Sequence, residues 1–187
     1  MEFAFVSGNA ALDLAATVGS RRDEPIELLA VPADLKRWVA ACDELPDRVA
    51  VDAAAFDSAL SLREAVHRLA LDRVLGRSFD PSSLKVVNAV AAGPPLTLKL
   101  GDKGLHRSGD LHQVLAHLAR SAIALLADPE ACLKECGRAD CTRIYLDRSR
   151  GARRTWCGMD ACGNRVKAAA YRARRREGRV AAAPTDD

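Results

Sequence analysis

Apolar residues recur at helical spacing through most of the first 126 positions of the chain. From Pro32, a proline suited to a first helical position, they fall at Leu35, Trp38, Val39 and Cys42 and predict a helix that buries one face. A longer helix follows from Asp52 as cap to about Leu75. Its inward positions are Ala55, Phe56, Ala59, Leu62, Val66, Leu69 and Val74, and Gly76 stops it. Asp80-Pro81 opens a third over Ser82–Ala91 with Leu84, Val87 and Val90 inward, and Gly93-Pro94-Pro95 ends it. Asp110 caps a fourth, Leu111–Leu126, whose wide stripe runs through Val114, Leu115, Leu118, Ala122, Leu125 and Leu126.

Between these helices the period changes. Leu96, Leu98 and Leu100 alternate with polar residues, and Gly101-Asp102-Lys103-Gly104 supplies turn chemistry, so 96–109 reads as a β-hairpin. Phe3–Val6 reads as a short strand with which that hairpin could pair. For 9–18 the signals divide. Leu12 and Leu14 alternate as in a strand, whereas the alanines and a cap at Asn9 favour a helix, which is the reading adopted. Residues 20–27 read as a polar connection, with Asp128–Glu130 as a boundary.

Beyond that boundary Ile144 and Leu146 fall on one face of a strand, and Arg143, Tyr145 and Asp147 on the other. Gly151 then supplies a turn before the chain returns to Trp156, which predicts a second hairpin. After Cys162 the pattern is helical, with Val166, Ala169, Ala170 and Ala173 forming a small-residue face able to pack closely on that hairpin. The expected fold is α+β: a mostly helical body with a small antiparallel sheet over 1–130, a compact module over 131–177, and an alanine-rich, charged tail over 178–187 read as disordered.

Cysteines decide the chemistry of the module. Four of the six form the pattern C-x4-C-x15-C-x4-C: Cys136, Cys141, Cys157 and Cys162. Two short knuckles joined by a hairpin can place four soft thiolates tetrahedrally around one structural Zn²⁺. Disulfides are the alternative; the close pairing of these residues against a solitary Cys42, read as core, favours metal. Cys132, four residues before Cys136, admits a redox reading through exchange with a ligand thiol, beside the plainer one of a half-buried cysteine.

Cys136, Cys141, the run Tyr145–Arg150, Trp156-Cys157, the tetrad Cys162-Gly163-Asn164-Arg165 and Lys167 together resemble the CGNR zinc-finger family. Gly8–Val18 with Arg21 is similar to the opening motif of the ABATE-type amino-terminal domain that such proteins carry. Ala16 stands where the family usually has Asn, and Arg150–Cys157 departs slightly from the family pattern. The resemblance implies a structural zinc, DNA binding, and stress-induced transcription regulation in which the amino-terminal domain senses a ligand or stress.

Charge adds an independent argument. Residues 136–179 hold thirteen Lys or Arg against four acids, a net +9 in a chain whose total is +3, so the remainder is −6. A basic end of this kind is the footprint of a polyanion binder. The candidate contacts are Arg165, Lys167, Arg172, Arg174, Arg175 and Arg176 on the final helix and Arg153 and Arg154 before it. DNA is favoured over RNA because the module offers only Tyr145, Trp156 and Tyr171 for base stacking. The alternative is a zinc-stabilised protein-interaction module whose basic helix docks an acidic partner. Enzymatic function is not expected. No nucleophile elbow, dinucleotide fingerprint or zinc-protease signature is present, and a site closed by four thiolates leaves no position for substrate. No leader and no run of about twenty uncharged residues is seen, so a cytoplasmic protein without membrane contact is expected. A small-molecule ligand for the body stays open, with none identified.

Overall fold

The structure, a computed structural model, describes residues 3–102 and 104–181; the side chains of Ala161, Ala170, Ala173 and all positions from Arg175 onward lie outside the described residues. Its elements are α1 (Ala10–Ala15), β1 (Val18–Gly19), β2 (Ile26–Glu27), α2 (Pro32–Ala40), α3 (Ala53–Val74), α4 (Pro81–Ala91), β3 (Thr97–Gly101), β4 (Gly104–Ser108), α5 (Leu111–Ala127), β5 (Leu133–Glu135), β6 (Ile144–Leu146), a π-helical turn (Met159–Gly163) and α6 (Asn164–Ala181). The α+β class expected from the sequence is what forms, with helices dominant and three two-stranded antiparallel ladders.

Capping residues set the helix starts. Asn9 accepts from the Ala11 and Leu12 amides, Asp52 from Ala55, Asp80 from Ser83 and Asp110 from Gln113, each satisfying an amide that a helical first turn leaves without a partner. The central element is α3, which packs against α1, α4 and α5 and also reaches β5 and β6. Ala59, Leu62, Val66, Leu69 and Ala70 are all buried along it. Alanines and leucines alternate in size there, which lets neighbouring helices approach on several sides.

Four local expectations change. Phe3–Val6 is extended but joins no ladder, because its partners are side chains: Asp13 accepts the Val6 amide, and arginines take the Ala4 and Val6 carbonyls. The β3–β4 hairpin therefore stands alone. Only Leu96 of its leucines is buried, while Leu98 and Leu100 face solvent. The polar connection over 20–27 ends in β2, which pairs with β1. The final helix continues to Ala181, past the expected tail boundary, and residues 182–187 lie outside the described residues.

The predicted return strand of the second hairpin is replaced by an earlier one. Strand β6 pairs with β5 through Leu133↔Leu146, Lys134↔Tyr145 and Glu135↔Ile144. The alternation of β6 then serves two interiors. Ile144 and Leu146 enter the large core with α1, α3 and α5, and Tyr145 enters a small cluster with Cys136, Cys157 and Cys162. All three β6 residues are buried, so this strand is the wall shared by body and module.

Candidate metal centre and basic helix

The two ladder strands deliver the first pair of cysteines. The Cys136 amide donates to the Arg143 carbonyl at 2.9 Å, one step beyond the β5–β6 ladder, and the Cys141 amide closes a turn onto the Arg138 carbonyl at 2.9 Å. The second pair is brought alongside by the Gly137 amide, which donates to the Thr155 carbonyl at 2.9 Å. Glycine is required there, since a Cβ on residue 137 would lie 2.9 Å from Thr155 Cγ2 and 3.1 Å from the Trp156 ring. Both Cys162 and Gly163 amides reach the Gly158 carbonyl at 3.0 Å, and this π turn puts Cys162 at the threshold of α6.

All four thiol sulfurs lie within 4.8 Å of one another. Cys141 Sγ is 3.9 Å from Cys157 Sγ, which is 3.5 Å from Cys162 Sγ. A tetrahedron with Zn–S bonds of about 2.3 Å has edges of about 3.8 Å, so the donor set fits zinc. Without a metal these thiols oppose one another's ionisation. The hydrogen bond with Cys157 holds Cys141 down to about 5, the same pairing pushes Cys157 far up, and burial raises Cys162 to about 11. So many thiolates this close ionise together only around a cation, and a divalent metal supplies that charge. The Cys157 amide adds a hydrogen bond to Cys136 Sγ at 3.4 Å. The four cysteines are positioned to hold one zinc ion.

Cys42 and Cys132 stand outside this group. Cys42 is buried in the large core, which raises its thiol to about 11. Cys132 is half-buried, stands at the other end of β5 from Cys136, and is not one of the four clustered thiols.

Two arginines that sequence patterning treats as surface turn inward. Arg154, a candidate phosphate contact, lies over the Tyr145 ring at 4.5 Å and donates to the carbonyls of Trp156 and Val6, both at 2.8 Å, and of Cys157. Its guanidinium is engaged in closing the module. Tyr145 Oη donates to the Arg154 carbonyl at 2.7 Å, and buried Asp147 takes the Arg154 amide, Lys134 Nζ and the Ser149 hydroxyl. These bonds hold the Asp147 carboxyl well below its ordinary range, chiefly through Lys134. Arg143 reaches the other way, to the Ala4 carbonyl at 2.7 Å. Arg138, counted in the basic charge of the module but not among its candidate contacts, sits inside the first knuckle. Burial opposes its charge, but the neighbouring Cys162 and Asp140 outweigh burial and strengthen its protonation.

Arg153, Arg165, Lys167, Arg172 and Arg174 are exposed; Arg175 and Arg176 fall on α6, with side chains outside the described residues. At about 100° per residue, Arg165 and Arg172 align on one side of α6 and Lys167 and Arg174 on the opposite side, flanking the small-residue face. Of the described residues of that face, Val166 is half-buried and Ala169 does not pack on the hairpin. Ala169 is exposed, and the principal contacts of α6 are with the π turn that carries Cys162.

Residues 8–129 match the family model ABATE, described as a putative stress-induced transcription regulator. The chain belongs to that family. Residues 133–175 match the CGNR zinc finger, so the ABATE domain is followed by the zinc-binding unit whose geometry is described above. A search of curated proteins gave no match. Neither family found in this ABATE–CGNR chain is an enzyme family. Among the described residues, no helix is long and apolar enough to cross a membrane.

Proposed function

We propose that this ABATE–CGNR protein is a zinc-dependent regulator that binds duplex DNA through α6. The observation that carries the reading is the attachment of α6: an 18-residue helix, anchored at the zinc centre through the π turn and Cys162, presents two exposed basic rows, and among the described residues its principal contacts are with that turn. Such a helix is about 27 Å long, enough to lie along a major groove. Arg165 and Arg172 would meet one phosphate strand and Lys167 and Arg174 the other, with Arg153 adding a backbone contact and the alanine face turned to the base edges. Zinc does no chemistry on DNA in this account. It fixes the direction in which the helix leaves the body.

The domain division at residue 130 belongs to the same proposal: residues 1–130 form the regulatory body, which senses a ligand or stress, and 131–177 form the contacting module in a cytoplasmic protein. Fluorescence anisotropy with labelled duplexes, using zinc-loaded and chelator-treated protein, tests it. Binding that is lost on chelation and restored by zinc is expected. Absence of binding by the loaded protein at low salt overturns the DNA reading and leaves the basic helix as a docking surface for an acidic protein.

A further inference from the structure

The zinc centre is not sealed on all sides. A cavity of about 230 Å³ opens between the β1–β2 ladder and the knuckles, walled on the body side by Val18, Ile26 and Leu28, and on the module side by Cys141, Cys157 and Cys162. Cys136 does not line it. Of the four ligands, Cys136, Cys157 and Cys162 are buried and Cys141 is only half-buried. Arg138, paired with Asp140 at 2.7 Å, and Arg165 line the same cavity with that aspartate, so these three side chains keep one net positive charge beside the thiolate that solvent reaches most easily.

We propose that Cys141 is a modification site at which a small peroxide, entering through this cavity, oxidises the zinc-bound thiolates and releases the metal. In the first step the Cys141 sulfur attacks one peroxide oxygen. The O–O bond breaks, an S–O bond forms and hydroxide leaves towards Arg138 and Arg165, giving a sulfenic acid. The Cys157 thiolate, 3.9 Å away, then attacks that sulfur; the S–O bond breaks, the S–S bond forms and a second hydroxide leaves. Two electrons pass from the two sulfurs to the peroxide, and both hydroxides take protons from solvent. Zinc, left with two thiolates, dissociates. The apolar wall of the cavity admits a small uncharged oxidant, while the flanking arginines counter the negative charge that a tetrathiolate site presents.

The proposal rests on the zinc centre and not on DNA binding, and its readouts are sulfur connectivity and free metal. Zinc-loaded full-length protein is treated with substoichiometric hydrogen peroxide, alkylated, cleaved with trypsin and mapped by mass spectrometry while released zinc is followed with a chromogenic chelator. Trypsin separates Ala139–Arg143, which holds Cys141, from Thr155–Arg165, which holds Cys157 and Cys162. The expected first product joins these two peptides through Cys141 and Cys157, and zinc is released in step with it. A first disulfide inside Thr155–Arg165, or one through Cys132 or Cys136, overturns the assignment, as does disulfide formation without zinc loss. The cavity is tested with Ile26→Trp, which narrows its mouth without touching a ligand. Severalfold slower zinc release at unchanged initial zinc content is expected, and an unchanged rate overturns the entry route.

Discussion

Arg143 Nη1 stands 3.4 Å from Asp13 Oδ1, joining the strand that follows the first knuckle to the first helix of the body. The same guanidinium reaches the Ala4 carbonyl and Ser7 Oγ, while Asp13 also accepts the Val6 and Ser7 amides. Burial raises the Asp13 carboxyl despite these donors, so the arginine offsets a charge that the site otherwise disfavours. Arg143→Ala is expected to cost about 3 kcal/mol, because it leaves a buried carboxylate with fewer partners. Urea unfolding measures this, and a loss no larger than that of an exposed arginine would count against the coupling.

Zinc removal should therefore be felt far from the cysteines. Strand β6 carries Tyr145 into the cysteine cluster and Ile144 and Leu146 into the large core, and the Leu146 amide donates to the Ser7 carbonyl at 2.8 Å. Chelation is expected to lower the melting temperature of the whole chain by on the order of 10 °C. In hydrogen exchange, the Leu146 amide and the amides of α1 should lose protection together. Loss confined to residues after Cys136 would show that the body folds independently of the metal.

Tyr145 offers a narrower probe. Its ring is fully buried beneath the Arg154 guanidinium, and its hydroxyl donates to the Arg154 carbonyl. Tyr145→Phe keeps the ring and leaves a buried carbonyl short of a donor, so a loss of about 1 kcal/mol with zinc affinity reduced in parallel is expected. Competition against a calibrated chelator measures the affinity.

His67 gives the fold a pH dependence. It lines a narrow cleft on α3 against Thr142, Arg143 and Ile144, and burial, followed by the charge of Arg21, lowers its pKa from 6.5 to about 4. Below 6.5 the unfolded chain takes up a proton that the folded chain refuses until about 4. Stability is thus complete above the unfolded value and declines as pH falls through this window, by up to about 3 kcal/mol. His67→Gln should remove that slope in denaturation curves taken at successive pH values. A variant with the wild-type slope would place the titration elsewhere.

What the sequence discloses follows the range of each interaction. Asn9, Asp52, Asp80 and Asp110 cap helices through amides two or three residues away, so the pattern around each is sufficient. The spacing of the four cysteines likewise carries its own geometry. The pairing of β6 is a choice between two flanking segments of similar length, decided by which one lets Ile144 and Leu146 reach helices far away in the chain. Arg154 and Arg143 look like surface charge because their partners, Val6 and Ala4, lie nearly the whole chain away. Extended residues Phe3–Val6 resemble a strand for the same reason. Their hydrogen bonds go to side chains that no local pattern reveals.

The central claim is that α6 meets the DNA backbone from an anchor at the zinc site. Affinity for a duplex measured across a salt series, for the zinc-loaded protein and for the variant with Arg165, Lys167, Arg172 and Arg174 all replaced by Ala, tests it most directly. The intact protein should show a steep fall of log affinity with log salt. The variant should flatten that slope by roughly 0.9 for each phosphate it no longer neutralises, while retaining its zinc. Equal slopes for the two proteins would contradict the account, placing any DNA binding on another surface.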